Sequence, residues 1–248
     1  MDACSNLIIA ETISAAWIEV LRHLLNCGGH CYNLVVQVRA PLSRDISFEE
    51  SLDTLCMDNN LLTIKHIAYT IFPKSLCDIY GNNYIRFFDK YINRVFPVIK
   101  TSWGTYFHRM INWTADHGRP PKNQLQGIIE AINERERIHK SAYTIQIGSP
   151  WMHFGRVRGA PCLNYISLQL QENRVMNLMA VFRNHYLFPR IYGNYVGLGQ
   201  LLEFLCEQTG FNVGMLTSIS SHAELSNSGR PPRPEIRQFL DHHAPQSV

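Results

Sequence analysis

From residue 9 to 26 the apolar positions recur at helical spacing, with Ile13, Trp17, Val20, Leu21 and Leu24 on one face. Gly28-Gly29 ends the run, so the pattern predicts an amphipathic helix over 9–26. "YNLVVQVRA" alternates as a strand does and stops before Pro41. The polar stretch 43–60 predicts a loop carrying a short helix, while 61–73 reads equally as a helix or a buried strand. Residues 82–100 place Ile85, Phe88, Tyr91 and Ile92 on one helical face. Residues 122–138 form the clearest amphipathic helix, with Leu125, Ile128, Ile129 and Ile132 inward. Strand alternation follows over 141–149, and 161–184 reads as two strands around a turn at Glu172-Asn173. A long apolar helix over 194–210 closes at Gly210, and 212–225 is a last strand. The tail from 228 has Pro-rich turns, then a short polar helix or disorder.

With no repeat, low-complexity tract or linker, the 248 residues predict one α+β domain over 1–248, a mixed sheet packed with helices. Apolar residues are 46% of the chain and charged residues 17%, enough apolar surface for a large core and for a further face hidden in an oligomer. The net charge of +3 is spread without a Lys/Arg block, which argues against nucleic acid and suits a few arginines converging on a small phosphate. Cys27 and Cys31 have no second pair behind them, so no metal is expected. There is no signal-peptide pattern and no membrane-spanning run, and the expectation is reduced thiols in a cytoplasm.

Candidate chemistry begins at Cys162, which follows Gly159-Ala160-Pro161. A thiol adds to C6 of a pyrimidine because O4 or N3 takes up the developing charge, leaving C5 nucleophilic. The bland alternative is a buried structural cysteine. Downstream lie Arg183, a phosphate fork or a structural ion-pair partner, and Asn194, a reader of the N3–C4 edge or a helix N-cap. His222 is a donor to a sugar hydroxyl or a satisfied core histidine.

The order and spacing of these four residues resemble the thymidylate synthase and pyrimidine nucleotide hydroxymethylase superfamily over roughly residues 100–228. Pro161-Cys162 matches the family's nucleophile, and Phe182-Arg183-Asn184 its phosphate turn. Gly193-Asn194-Tyr195 matches the segment that opens its long helix, and Ser220-Ser221-His222-Ala223-Glu224 the sugar-binding strand, with Glu224 in place of Tyr. "SWGTYFHRMINW" resembles the segment that makes Trp103, Gly104 and Arg109 counterparts, and Lys140 stands where the family's Arg pair reaches the partner's phosphate.

Departures fall on the folate side. Ile67 stands where the family has its proton-relaying Glu, and Tyr186 where it has the Asp that contacts base and pterin. Leu163 replaces the histidine beside the nucleophile, and the phosphate and folate loop is absent, leaving Arg39 or Arg44 as substitutes. Tyr186, Glu224, His185 and His66 are candidate replacements for the lost acid–base groups.

The resemblance implies a thymidylate-synthase-like fold, a homodimer formed through a sheet face, and a pyrimidine nucleoside monophosphate as substrate. It implies methyl or hydroxymethyl transfer to C5, in modified-nucleotide or specialised metabolism. Asn194 favours uracil, since cytosine-specific relatives carry Asp there. The implied one-carbon donor is 5,10-methylenetetrahydrofolate, and the eroded folate side leaves open folate-free Cys-adduct chemistry or a non-catalytic nucleotide binder. Cys162 and Tyr186 are then the catalytic candidates; Arg183, Asn184, Asn194, His222, Glu224, Lys140 and Trp103 are the substrate-binding ones.

Overall fold

The computed structural model describes residues 6–99, 104–114, 120–134, 139–149, 153–156, 159–226 and 229–243. Strand β1 (Leu7–Ala10) runs into helix α1 (Ile13–Asn26), whose start is fixed by the Thr12 side chain accepting from the Ala15 N–H. The expected helix therefore begins four residues later, because Leu7–Ala10 is drawn into a parallel pairing with β2 (His30–Val38). The polar stretch becomes a full helix, α2 (Ile46–Asp58), capped by Asp45 and burying Phe48, Leu52 and Cys56 in a narrow stripe. The ambiguous segment is a helix, α3 (Ile64–Ile71). After it come α4 (Lys74–Tyr80) and α5 (Tyr84–Lys90), which continues into a π-helical turn over Tyr91–Val95.

Phe88 and Tyr91 are buried as expected and Ile92 packs against the core, and the expected face fails at Ile85. Ile85 is 57% exposed, while Phe87 packs with Phe72, Phe107 and Phe204. This aromatic cluster rotates the helix so that Phe87 takes the buried position. Helices α6 (Tyr106–Ile111) and α7 (Gln124–Asn133) precede β3 (Tyr143–Gln146), β4 (Leu163–Leu170) and β5 (Val175–Phe182). Short β6 (His185–Tyr186), a π-helical turn (Leu187–Ile191) and the long α8 (Tyr192–Thr209) follow. Gly210, with φ of 68°, ends α8 in the left-handed region, as the sequence predicts. Strand β7 (Asn212–Glu224) and helix α9 (Arg233–His243) complete the described chain.

The strands form one mixed sheet in the order β1-β2-β7-β5-β4-β3, with β6 pairing β7. Pairs β1/β2, β5/β7 and β6/β7 are parallel, and the others antiparallel. One face packs on the helices through Leu34, Val36, Leu178, Phe182 and Leu216. On the opposite face the register aligns Leu7, Val35, Ile219, Val181 and Tyr165 in one row across five strands. Leu7 and Ile9 at its edge are about half exposed, at 49% and 50%.

Helix α8 is buried on every side over Tyr192–Gly199, shows a polar stripe of Gln200, Glu203 and Glu207 beyond it, and lies against α3, α1 and the sheet. Gly193 and Gly197 let α3 approach closely: a Cβ on Gly193 would lie 2.6 Å from the Ile67 Cβ, and one on Gly197 2.8 Å from the Ala68 carbonyl oxygen. Gly193→Ala should therefore cost about 1–3 kcal/mol through overpacking, outweighing the gain in helix propensity. Gly127→Ala on α7, where a Cβ meets nothing within 4 Å, is expected instead to stabilise by up to roughly 1 kcal/mol. Thermal melts of the two variants check this, and equal melting temperatures would contradict the close crossing.

Candidate functional site

A cavity of about 370 Å³ opens where the loop before β4, the β6 region, the start of α8 and the α2–α3 connection meet. Cys162, Asn184, His185, Tyr186 and Asn194 from the expected set line it, together with Tyr106, Arg190, Asn60 and Ser226. Among the described residues none of its lining side chains is a carboxylate.

Cys162 is half-buried one residue before β4. Burial pushes its thiol above the ordinary range, and the nearby charges of Arg183 and Arg190 only partly offset this. Arg183 follows β5 and wraps the loop that carries Cys162. Its guanidinium donates to the Pro161, Arg156 and Ala160 carbonyls at 3.2, 3.1 and 3.4 Å and also reaches the Cys162 sulfur. Among the described residues it has no carboxylate partner and lies outside the cavity lining; it holds the loop that carries the thiol. Tyr106 is fully enclosed beside that loop and accepts from the backbone N–H groups of Cys162 and Leu163, and its phenol is pushed up to about 12 by burial.

Asn194 and His185 are 3% and 1% exposed. The Asn194 Nδ2 donates to His185 Nε2 at 2.9 Å, and the other ring nitrogen meets Ser220 Oγ at 3.1 Å. Since an amide nitrogen only donates, Nε2 is the acceptor and the ring proton sits on Nδ1. The imidazole also stacks on Phe182 with ring centroids 3.9 Å apart, and burial lowers its pKa to about 3. A neutral, pinned His185 fixes the Asn194 carboxamide, whose oxygen has no partner among the described residues. The expected helix N-cap role is not what Asn194 does: it lies inside α8, bonded to a side chain.

His222 and Glu224 lie outside the lining and reach the cavity through Asn184. The Asn184 Oδ1 accepts from His222 Nδ1 at 2.7 Å, and its Nδ2 donates to Glu224 at 3.1 Å. Tyr186 is half-buried on β6, opposite Glu224 in the sheet.

Other expected residues are not brought to the cavity. Lys140 is exposed and pairs with Glu172 at 2.8 Å near the β4–β5 turn. Arg44 is taken by the buried carboxylate of Glu49, which also accepts from Tyr192, and Arg39 lies outside the lining. His66 bonds Thr63 at 2.7 Å on the surface of α3, and Arg109 donates to the Ile147 carbonyl and to His153. Trp103 lies outside the described residues. Ile67 is fully buried against α8, so a glutamate there would sit in the helix crossing. Arg190 and Tyr106 escaped the sequence reading. An arginine inside the apolar run "YLFPRIYGNYV" was the available signal, since a cation costs energy there unless it has a task.

Among the described residues the site thus joins a thiol, a fixed carboxamide and the unpartnered guanidinium of Arg190, with no carboxylate in the lining. The folate-side groups do not fit: no carboxylate lines the cavity, and neither Arg39 nor Arg44 reaches it. Among the described residues no His/Cys/Asp/Glu cluster suits a metal ion, and no helix is long and apolar enough to cross a membrane.

No protein-family profile matches the chain. Similar curated proteins include one from Methanosarcina mazei named "Putative thymidylate synthase", 26% identical over 121 residues, 49% of this chain and 52% of that protein. A protein of the same name from Methanosarcina barkeri is 25% identical over 123 residues, again 49% of this chain and 52% of that protein. The match thus spans about half the length of these relatives. A longer alignment, 23% identical over 234 residues and 90% of both chains, joins it to a protein of that name from Methanococcoides burtonii. This is distant similarity to a thymidylate-synthase-like group.

Two outcomes follow. Unfolded His185 takes up a proton as pH falls through about 6.5, whereas folded His185 resists until about 3. Stability should then fall on acidification across that window, by up to about 1.4 kcal/mol per pH unit. His108, lowered to about 4, adds to the same slope, so His185→Gln should flatten the urea-unfolding curve in part. An unchanged slope would contradict the buried neutral ring. For Cys162, iodoacetamide labelling mapped by peptide mass should be slow at neutral pH and rise above pH 9; rapid labelling at pH 7 would contradict the raised thiol.

Proposed function

We propose that the chain is a thymidylate-synthase-like enzyme that acts at C5 of a pyrimidine nucleoside monophosphate through a Cys162–C6 adduct. The observation that supports it most is that Cys162 and Asn194, 32 positions apart, line one cavity. The Cys162 sulfur forms the bond to C6, and the C5–C6 electron pair moves toward O4. C5 then takes up an electrophile; loss of the C5 proton expels the thiolate. The open Asn194 oxygen accepts from N3–H and its second amide hydrogen donates to O4, which suits uracil. Tyr186, beside the base, is the proton-moving candidate, while Asn184, His222 and Glu224 meet the sugar. The relatives' names point to one-carbon transfer, so methyl or hydroxymethyl transfer is the reaction proposed, the one-carbon unit and, for methylation, the hydride coming from a separate methylenetetrahydrofolate-class donor; the lining, carboxylate-free among the described residues, is given no step on that donor.

Residues 1–248 are read as one domain of this fold. It pairs with a second copy through the Leu7–Val35–Ile219–Val181–Tyr165 row, which brings Lys140 toward the partner's phosphate. A cytoplasmic setting follows from the reduced cysteines and the nucleotide substrate. The raised thiol favours a second reading, a nucleotide binder without chemistry.

Intact mass after mixing with 5-fluoro-dUMP or 5-fluoro-UMP, with and without methylenetetrahydrofolate, should show an adduct that Cys162→Ala abolishes. No adduct, with calorimetric nucleotide binding unchanged in Cys162→Ala, would replace the enzyme with the binder. Sizing chromatography at micromolar concentration should give a dimer that Ile219→Lys dissociates, and a wild-type monomer would refute the pairing.

A further inference from the structure

Resting on that reading, we propose that Arg190 is the residue that receives the phosphate of the nucleotide beside Cys162. Arg190 belongs to the π-helical turn between β6 and α8, which puts it on the cavity wall between Tyr186 and Asn194. It is the one lining side chain that carries a full charge among the described residues, since His185 is neutral.

Three observations set it apart from Arg183. First, Arg190 is half-buried and has no hydrogen bond or ion pair with another of the described residues. A guanidinium drawn partly out of water and left unpaired is unfavourable, and an anion entering the cavity removes that penalty. Second, Arg183 spends its guanidinium on three carbonyls and the Cys162 sulfur, so few donors remain for a ligand. A phosphate needs two parallel donors from one fork, which Arg190 has free. Third, the charge of Arg190 is felt at both Cys162 and Tyr106, which places its head group within electrostatic reach of the reacting end of the cavity. With no carboxylate on the wall, nothing there repels the incoming anion. A cavity of about 370 Å³ lies within the size range of small-molecule sites.

The assignment divides the work of the two arginines. Arg183 positions the nucleophile's loop and Arg190 meets the ligand's charge. It also states what the cavity prefers: the 5′-monophosphate over the free nucleoside.

Calorimetric titration of the full chain with dUMP, with deoxyuridine and with inorganic phosphate tests this, after unfolding curves confirm that each variant folds. The wild type should bind dUMP more tightly than deoxyuridine. Arg190→Gln should weaken dUMP binding by roughly 10- to 100-fold, the worth of a charged hydrogen-bonded contact, and leave deoxyuridine within about twofold. Arg190→Lys should retain part of the preference, which covers a neutral variant that fails to fold. Inorganic phosphate should compete with dUMP for the wild type and not for Arg190→Gln.

Equal losses for dUMP and deoxyuridine in Arg190→Gln would overturn the assignment, as would an intact phosphate preference that Arg183→Gln alone removes. A wild type that binds deoxyuridine and gains nothing from the phosphate would also sink it while sparing the pyrimidine reading. A wild type that binds neither compound would instead end the reading on which it rests.

Discussion

Everything near the cavity depends on how closely α3 can approach α8. Over Tyr192–Gly199 helix α8 is buried on every side, turning a polar stripe of Gln200, Glu203 and Glu207 outward only further on, and Gly193 and Gly197 set its distance from α3. At that distance the side chain at position 67 has no room for a hydrated carboxylate, and Ile67 fills the crossing with hydrocarbon. The same crossing holds Asn194 on the first turn of α8 and draws the α2–α3 connection over the cavity as Asn60, Leu61 and Leu62.

Inside that frame, polarity is rationed. Ser220, His185 and Asn194 form a buried chain of two hydrogen bonds, anchored by the His185–Phe182 stack. Each member is satisfied toward the protein, so the free edge of the carboxamide is directed outward by elimination. On the other side Arg183 ties Arg156 to the Ala160–Cys162 segment through the Arg156, Ala160 and Pro161 carbonyls. Between these two rigid supports lie the thiol and the unpaired guanidinium of Arg190. Fixed donors and acceptors around a small opening lose little on meeting a ligand, because their orientation is already set.

Much of the fold was legible in the amino-acid pattern. The hairpin at Glu172-Asn173, the buried α8 closed by Gly210 and the inward face of α7 all follow from local periodicity and turn chemistry. Helix α2 was hidden because its apolar stripe of Phe48, Leu52 and Cys56 is one side chain wide among polar neighbours. The face of α5 was misjudged at Ile85, since a cluster of four phenylalanines from separate elements decides its rotation. For the site, Cys162 and Asn194 were readable from motif spacing. Arg183 was identified, but its work as a clamp on carbonyls was not, because backbone oxygens leave no mark in a sequence.

The order of side chains by itself determined which chemistry is carried: one thiol placed after a proline, one asparagine opening a buried helix, and no carboxylate at the relay position. Local rules suffice for that, since helix and strand periods and turn residues act over a few positions. Only the tertiary structure decided which groups are spent and which are free. Whether a guanidinium has a partner depends on atoms brought from distant positions, as Arg183 and Arg190, seven residues apart, demonstrate with opposite outcomes.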